Sequence, residues 1–150
     1  MMNSSNASKI AIFAALFFAC ASGHAAPSGE FTVVEHPVAE TVVDIGKKGD
    51  SLGDLLVFKN PLFDAANKVE VGHDSGSCIR TVVGKEWDCT FTNVLADGQI
   101  TVSGTFHDVG DSIFTVTGGT GRFAGRYGEM QLHFRDKKGT AYDFVFKLNE

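Results

Sequence analysis

From Phe31 onward, apolar and polar residues alternate along the chain. Ile100, Val102 and Phe106 share one side of a segment whose other side carries Thr101, Ser103, Thr105 and His107. Trp87, Cys89, Phe91 and Leu95 alternate with Asp88, Thr90 and Thr92. Met130, Leu132 and Phe134 alternate with Glu129, Gln131, His133 and Arg135, and Tyr142, Phe144, Phe146 and Leu148 with Asp143 and Lys147. A period of two is that of a strand with one buried face. Turn chemistry separates the runs at Gly84-Lys85, Asp97-Gly98, Gly110-Asp111 and Lys137-Lys138-Gly139. Asp97-Gly98 is the strongest signal, because a tight hairpin needs positive φ at both central residues. After residue 26 there is no sustained helical period, internal repeat or linker. The pattern predicts an all-β domain of eight or more short antiparallel strands, a sandwich or a closed barrel. The abundance of glycine favours the barrel, whose strands must coil and turn corners. An eight-stranded barrel has room inside for side chains or one small ligand.

The first 25 residues follow a different rule. Residues 10–21, IAIFAALFFACA, are an unbroken apolar run preceded by Lys9 and followed by the small-residue segment Ala21-Ser22-Gly23-His24-Ala25-Ala26. Spanning a bilayer takes about 20 apolar residues, so the run reads as a secretory signal peptide cleaved after Ala25. The alternatives are a buried core helix, which lacks start and stop signals, and a lipid anchor at Cys20. The organisation expected is a signal peptide over 1–25 and one domain over 26–150. The leader resembles a bacterial one and implies a secreted or periplasmic protein with no membrane attachment after cleavage.

Charge and cysteine count then sharpen the class. The chain carries 13 Lys+Arg against 18 Asp+Glu, a net charge of −5. An acidic surface cannot displace counterions from phosphates, which argues against nucleic acid as a partner. With 43% hydrophobic residues there is ample material for a core. Cleavage would remove Cys20 and leave Cys78 and Cys89. These flank IRTVVGKEWD, which reads as a hairpin around Gly84-Lys85 and would set the two opposite each other on adjacent strands. Export favours a disulfide; two separate buried thiols are the other reading.

Candidate chemistry is sparse. Gly119, Gly121 and Ala124 fit a G-x-G-x-x-A spacing, but RYGEMQLHF follows as a strand, where dinucleotide binding needs a helix. The segment reads instead as a glycine-rich corner between strands. His36, His73, His107 and His133 are scattered singly and form no ligand set, so neither a metal nor another cofactor is expected. There is no G-x-S-x-G elbow. Glu35 closes the run Phe31-Thr32-Val33-Val34-Glu35. If Phe31, Val33 and Glu35 point inward, a carboxyl sits at the edge of an apolar lumen, where burial raises its pKa and makes it a better base. In the opposite orientation Glu35 faces water.

Four segments, in order, resemble the allene oxide cyclase and dirigent superfamily. They are GDLLVFKNPLFD (53–64), GSCIR (76–80), GQITVSG (98–104) and IFTVTGGTGRFAG (113–125). The resemblance implies an eight-stranded antiparallel barrel with a central apolar cavity, often trimeric or dimeric, and so points to barrel over sandwich. Plant allene oxide cyclases isomerise an unstable fatty-acid epoxide to a cyclopentenone in a cavity with few polar groups. Dirigent proteins capture phenoxy radicals and steer their coupling. By the same resemblance Glu35 matches the family glutamate after the first strand, Asn60 the asparagine of the F-x-N-x-L motif, and Cys78 the cavity cysteine. Two positions depart from the cyclase pattern: Pro37 replaces an asparagine and Phe106 a tyrosine. Asn60-Pro61 stands where dirigent proteins carry aspartate-proline.

The function expected is binding of a small hydrophobic molecule, with Phe58 and Phe106 in the pocket. Glu35 would act as base or electrostatic stabiliser and Asn60 as orienting donor, in an isomerase or cyclase that works by confining a reactive substrate. A dirigent-like steering protein without proton chemistry is one alternative. A structural barrel whose lumen is filled by phenylalanines is another. An oxidised Cys78 has no proton to give, so the disulfide and an acid role for Cys78 exclude each other.

Overall fold

The computed structural model describes residues 29–149. The apolar run, Cys20 and the cleavage site expected after Ala25 lie outside the described residues.

Among the described residues nine strands follow one another: β1 (Gly29–Glu35), β2 (Glu40–Val43), β3 (Leu55–Asp64), β4 (Glu70–Val82), β5 (Glu86–Leu95), β6 (Gly98–His107), β7 (Ser112–Gly119), β8 (Tyr127–Phe134) and β9 (Tyr142–Asn149). A single 3-10 turn, Gly121–Phe123, links β7 to β8, so the glycine-rich segment is a corner and not a nucleotide loop. Every pairing is antiparallel. The order β1-β9-β8-β7-β6-β5-β4-β3 closes on itself through a second pairing of β1 with β3. The result is a closed eight-stranded barrel plus one extra strand, β2.

The extra strand follows from how β3 is shared. Its far end pairs with β1, Val33 to Asp64 and Glu35 to Leu62. Its near end pairs with β2, Glu40 to Phe58 and Val43 to Leu55. Residues 36–39 bridge the gap between β1 and β2. Opposite that gap lie Asn60 and Pro61, and Pro61 has no N–H to give to a ladder. The chain can therefore leave β3 there at no cost in backbone hydrogen bonds on the proline side. The Pro61 carbonyl still accepts from the His36 N–H at 3.2 Å.

Alternation holds where the sequence predicts it. Trp87, Cys89 and Phe91 of β5 are buried, as are Phe144, Phe146 and Leu148 of β9. One end of the lumen is filled. Phe31 stacks on Phe146 with ring centres 4.7 Å apart and lies 5.6 Å from Phe123. Ile100, Val102 and Met130 are fully buried in the same core. One hairpin differs in detail from the expectation. Leu95 pairs with Gly98, so the central residues are Ala96 and Asp97, neither with positive φ. The glycine comes after them with φ +155, where an added Cβ would lie 2.2 Å from the Thr120 carbonyl oxygen. Glycine is needed here for the close approach of the 3-10 corner rather than for a primed turn.

Candidate active site

At the other end the barrel holds a small cavity, open at its mouth. It is lined by the buried Phe91, Phe114, Phe144 and Leu132, by the half-buried Leu56, Phe58 and Phe106, and by Cys78 and Cys89. The remaining lining residues are Glu35, Glu40, Asp74 and Tyr142. The rings interlock: Phe91 meets Phe58 at 5.6 Å and Phe114 at 5.2 Å, both edge to face. Gly76 makes this possible. It sits in register between Phe58 and Phe91, and a Cβ there would come within 2.3 Å of the Phe91 Cβ.

The inward orientation of Glu35 is the one the fold adopts. Its side chain follows Phe31 and Val33 to the inside and is 5% exposed. Asn60, fully buried on β3, donates from Nδ2 to Glu35 Oε1 at 2.7 Å and more weakly to Glu40 at 3.4 Å. Its Oδ1 accepts the backbone N–H groups of Val38 and Ala39 at 3.0 and 2.9 Å. Asn60 thus ties the ends of β1 and β2 together and orients Glu35, without itself lining the cavity. Phe58 and Phe106 line it.

The sequence did not point to Asp74, Glu40 or Tyr142. Asp74 is fully buried on β4 and faces Asn60, whose backbone N–H donates to Oδ1 at 3.1 Å. Its Oδ2 meets no N–H or hydroxyl donor. The carboxyls of Glu35 and Asp74 lie near enough for each to perturb the other. Burial, then the charge of Asp74, holds Glu35 far above the ordinary carboxyl range. Burial pushes Asp74 up to about 7. Burial also raises Glu40, at the mouth, though this side chain keeps one side in water. Tyr142 is pushed up to about 12 by burial and by the charges of Glu35 and Glu40. Two crowded carboxyls in low dielectric cannot both ionise, so the pair keeps one proton and titrates as a unit.

Cys78 and Cys89 pair directly across β4 and β5 and form a disulfide, both nearly fully buried. Cys78 therefore carries no thiol for acid chemistry. Among the described residues no group of three or more His, Cys, Asp or Glu could hold a metal ion. His107 and His133 lie outside the cavity, facing Glu86 at 3.7 Å and Asp111 at 2.6 Å. His36 sits on the Phe63 ring and shares a hydrogen bond with Asn67.

The allene oxide cyclase family model matches residues 34–144, from β1 into β9. The chain belongs to the allene oxide cyclase family. Solved structures carry the same barrel. A pyocyanin demethylase shares 26% identity at a TM-score of 0.69, over 81% of this chain and 100% of that one. A pterocarpan synthase dirigent protein superposes at a TM-score of 0.73 with 14% identity, over 85% and 97% of the two chains. A Diels-Alderase from Streptomyces koyangensis does so at 0.68 with 18% identity, over 87% and 71%. The same barrel fold thus occurs in proteins described as a demethylase, a dirigent protein and a Diels-Alderase, and the site of this chain has to be read from its own residues.

Proposed function

We propose that this member of the allene oxide cyclase family is an exported acid–base isomerase or cyclase acting on a small, largely apolar molecule held in the barrel. One observation carries the reading: two buried carboxyls, Glu35 and Asp74, stand together at the edge of an aromatic cavity, where burial raises both so that the pair retains a proton near neutral pH. A singly protonated pair holds an acid and a base side by side. It can give a proton to one atom of a bound substrate and take one from another, returning to its starting state after an isomerisation. The aromatic walls would hold the substrate in one conformation and keep water from the reacting atoms. Asn60 is a positioning residue, acting through Glu35. Export is supported by the apolar leader and by the disulfide, which suits an oxidising compartment.

A dirigent-like role is the second reading. The interlocked rings of Phe58, Phe91 and Phe114 support it, since they would orient a flat molecule without proton transfer. Deuterium exchange separates the two. In heavy water the wild-type protein is expected to accelerate exchange at the acidic carbon next to the carbonyl of 2-tetralone, a two-ring ketone, as followed by NMR. Glu35→Gln and Asp74→Asn are each expected to reduce that acceleration at least a hundredfold. Equal acceleration by wild type and Glu35→Gln would exclude proton transfer by Glu35. Binding with no exchange at all would favour steering.

A further inference from the structure

The electrostatic make-up of the cavity is one-sided. Glu35, Glu40 and Asp74 come from three strands to one wall, and no Lys, Arg or His lines the cavity. The charged groups that perturb Glu35 and Asp74 are all carboxyls. Arg80, the buried arginine of β4, is engaged elsewhere: with Asp50 at 2.7 Å, with Asp108 at 2.8 Å, and over the Trp87 ring at 3.8 Å. Asp74 is buried, and its Oδ2 meets no hydrogen-bond partner. The rest of the lining is largely aromatic, with Phe58, Phe91, Phe106, Phe114 and Phe144, and an aromatic face attracts a cation.

From this composition we infer that the cavity selects an aromatic molecule carrying a positively charged or proton-donating nitrogen and rejects carboxylates. This rests on the small-molecule reading above and names its substrate class. A nitrogen placed at the carboxyl wall, where Glu40 reaches the mouth, would supply its counter-charge, while the ring body lies among the phenylalanines. A fatty acid or other organic anion would bring a further negative charge to a wall with no cation, and like charges brought together at low dielectric cost several-fold to many-fold in affinity. An inorganic cation is a poorer match, since the three carboxyls form no metal-ligating group.

The test uses three probes of one shape, 1-naphthylmethylammonium, 1-naphthamide and 1-naphthoate, titrated by calorimetry at pH 7 into the intact disulfide-bonded protein. The ammonium is expected to bind tightest and the naphthoate weakest, with at least a tenfold span. Glu40→Gln and Asp74→Asn are expected to narrow that span. Glu40 lies at the exposed mouth, so its variant folds even if Asp74→Asn does not. Equal binding of all three probes, or a preference for naphthoate, would overturn the inference and leave the cavity as a small-molecule site. A span unchanged in Glu40→Gln and in folded Asp74→Asn would overturn it too. Failure of all three to bind would overturn both this inference and the function proposed above. Selective binding of the ammonium with no proton exchange would keep the inference and remove the isomerase.

Discussion

Asn60 donates to Glu35 across 2.7 Å while its carbonyl oxygen accepts two backbone N–H groups from the segment that crosses from β1 to β2. One amide therefore fixes both the strand gap and the rotamer of the buried carboxyl. No charged residue could replace it. A carboxylate would repel Glu35 and Asp74, and a cation could not accept the two N–H groups.

Removing that amide is expected to cost more than a single hydrogen bond. Asn60→Ala leaves two backbone donors and Glu35 without their partner, and should lower stability by about 1–3 kcal/mol. Asn60→Asp should be worse above about pH 5, where a further carboxylate joins the cluster. Urea unfolding at pH 5 and pH 8 measures both. An Asn60→Asp variant as stable as wild type at pH 8 would contradict the crowding of charge at this site.

The carboxyl pair sets a pH dependence with a definite sign. Asp74 titrates at about 7 in the fold against roughly 3.9 in an unfolded chain, and Glu35 is shifted in the same direction. A group with a raised folded pKa contributes its stability in full below the unfolded pKa. It loses that contribution as pH rises through the folded value. Thermal midpoints should therefore fall between about pH 5 and pH 8, and Asp74→Asn should flatten the fall. At the acid end the opposite holds. Backbone N–H groups hold Asp54 below the usual range, chiefly that of Ile45, and Asp64, chiefly that of Lys68. Their contribution is lost as pH drops below about 4. A midpoint that climbs steadily from pH 5 to pH 8 would be incompatible with a shared proton between Glu35 and Asp74.

The disulfide closes a short loop, with Cys78 and Cys89 separated by 11 positions. Removing it by a Cys78→Ala, Cys89→Ala double change should cost roughly 2–3 kcal/mol by the chain-entropy argument. The same change opens space in the cavity wall, so probe affinities should shift while the fold persists. Thiol counting on the exported protein, denatured without reductant, should give no free thiol. Mass spectrometry of the same sample should place its first residue near Ala26. Two free thiols, or an intact Met1 on an exported chain, would undo the argument from compartment to bridge.

Gly76 offers a test of the ring packing. Gly76→Ala puts a methyl group 2.3 Å from the Phe91 Cβ and 2.4 Å from the Thr90 carbonyl oxygen, so Phe91 and its backbone have to move away from Gly76 and shift this cavity wall. Overpacking of this kind typically costs about 1–3 kcal/mol, and naphthyl probes should bind at least several-fold more weakly. Unchanged affinity would mean that Phe91 does not shape the part of the cavity a ligand occupies.

The order of the strands, their inner faces and the partner of Cys78 were legible in the chain, because each is a local property. Alternation assigns a residue to a face from its neighbours alone, and a ten-residue hairpin brings its two ends together whatever the rest of the barrel does. Closure and the carboxyl wall are different in kind. Glu35, Glu40 and Asp74 stand on β1, β2 and β4, and only the double pairing of β3 with β1 and β2 brings the first two to one place. Asp74 was hidden further by its setting, Gly72-His73-Asp74-Ser75-Gly76-Ser77, where small and polar residues erase the alternation that marks an inner face. Even the orientation of Glu35 was left open by its own run, since Val33 and Val34 are both buried and either parity fits an apolar core. Period two sets which residues share a face; the register around a closed barrel sets which faces meet, and proton sharing between two carboxyls depends on that meeting.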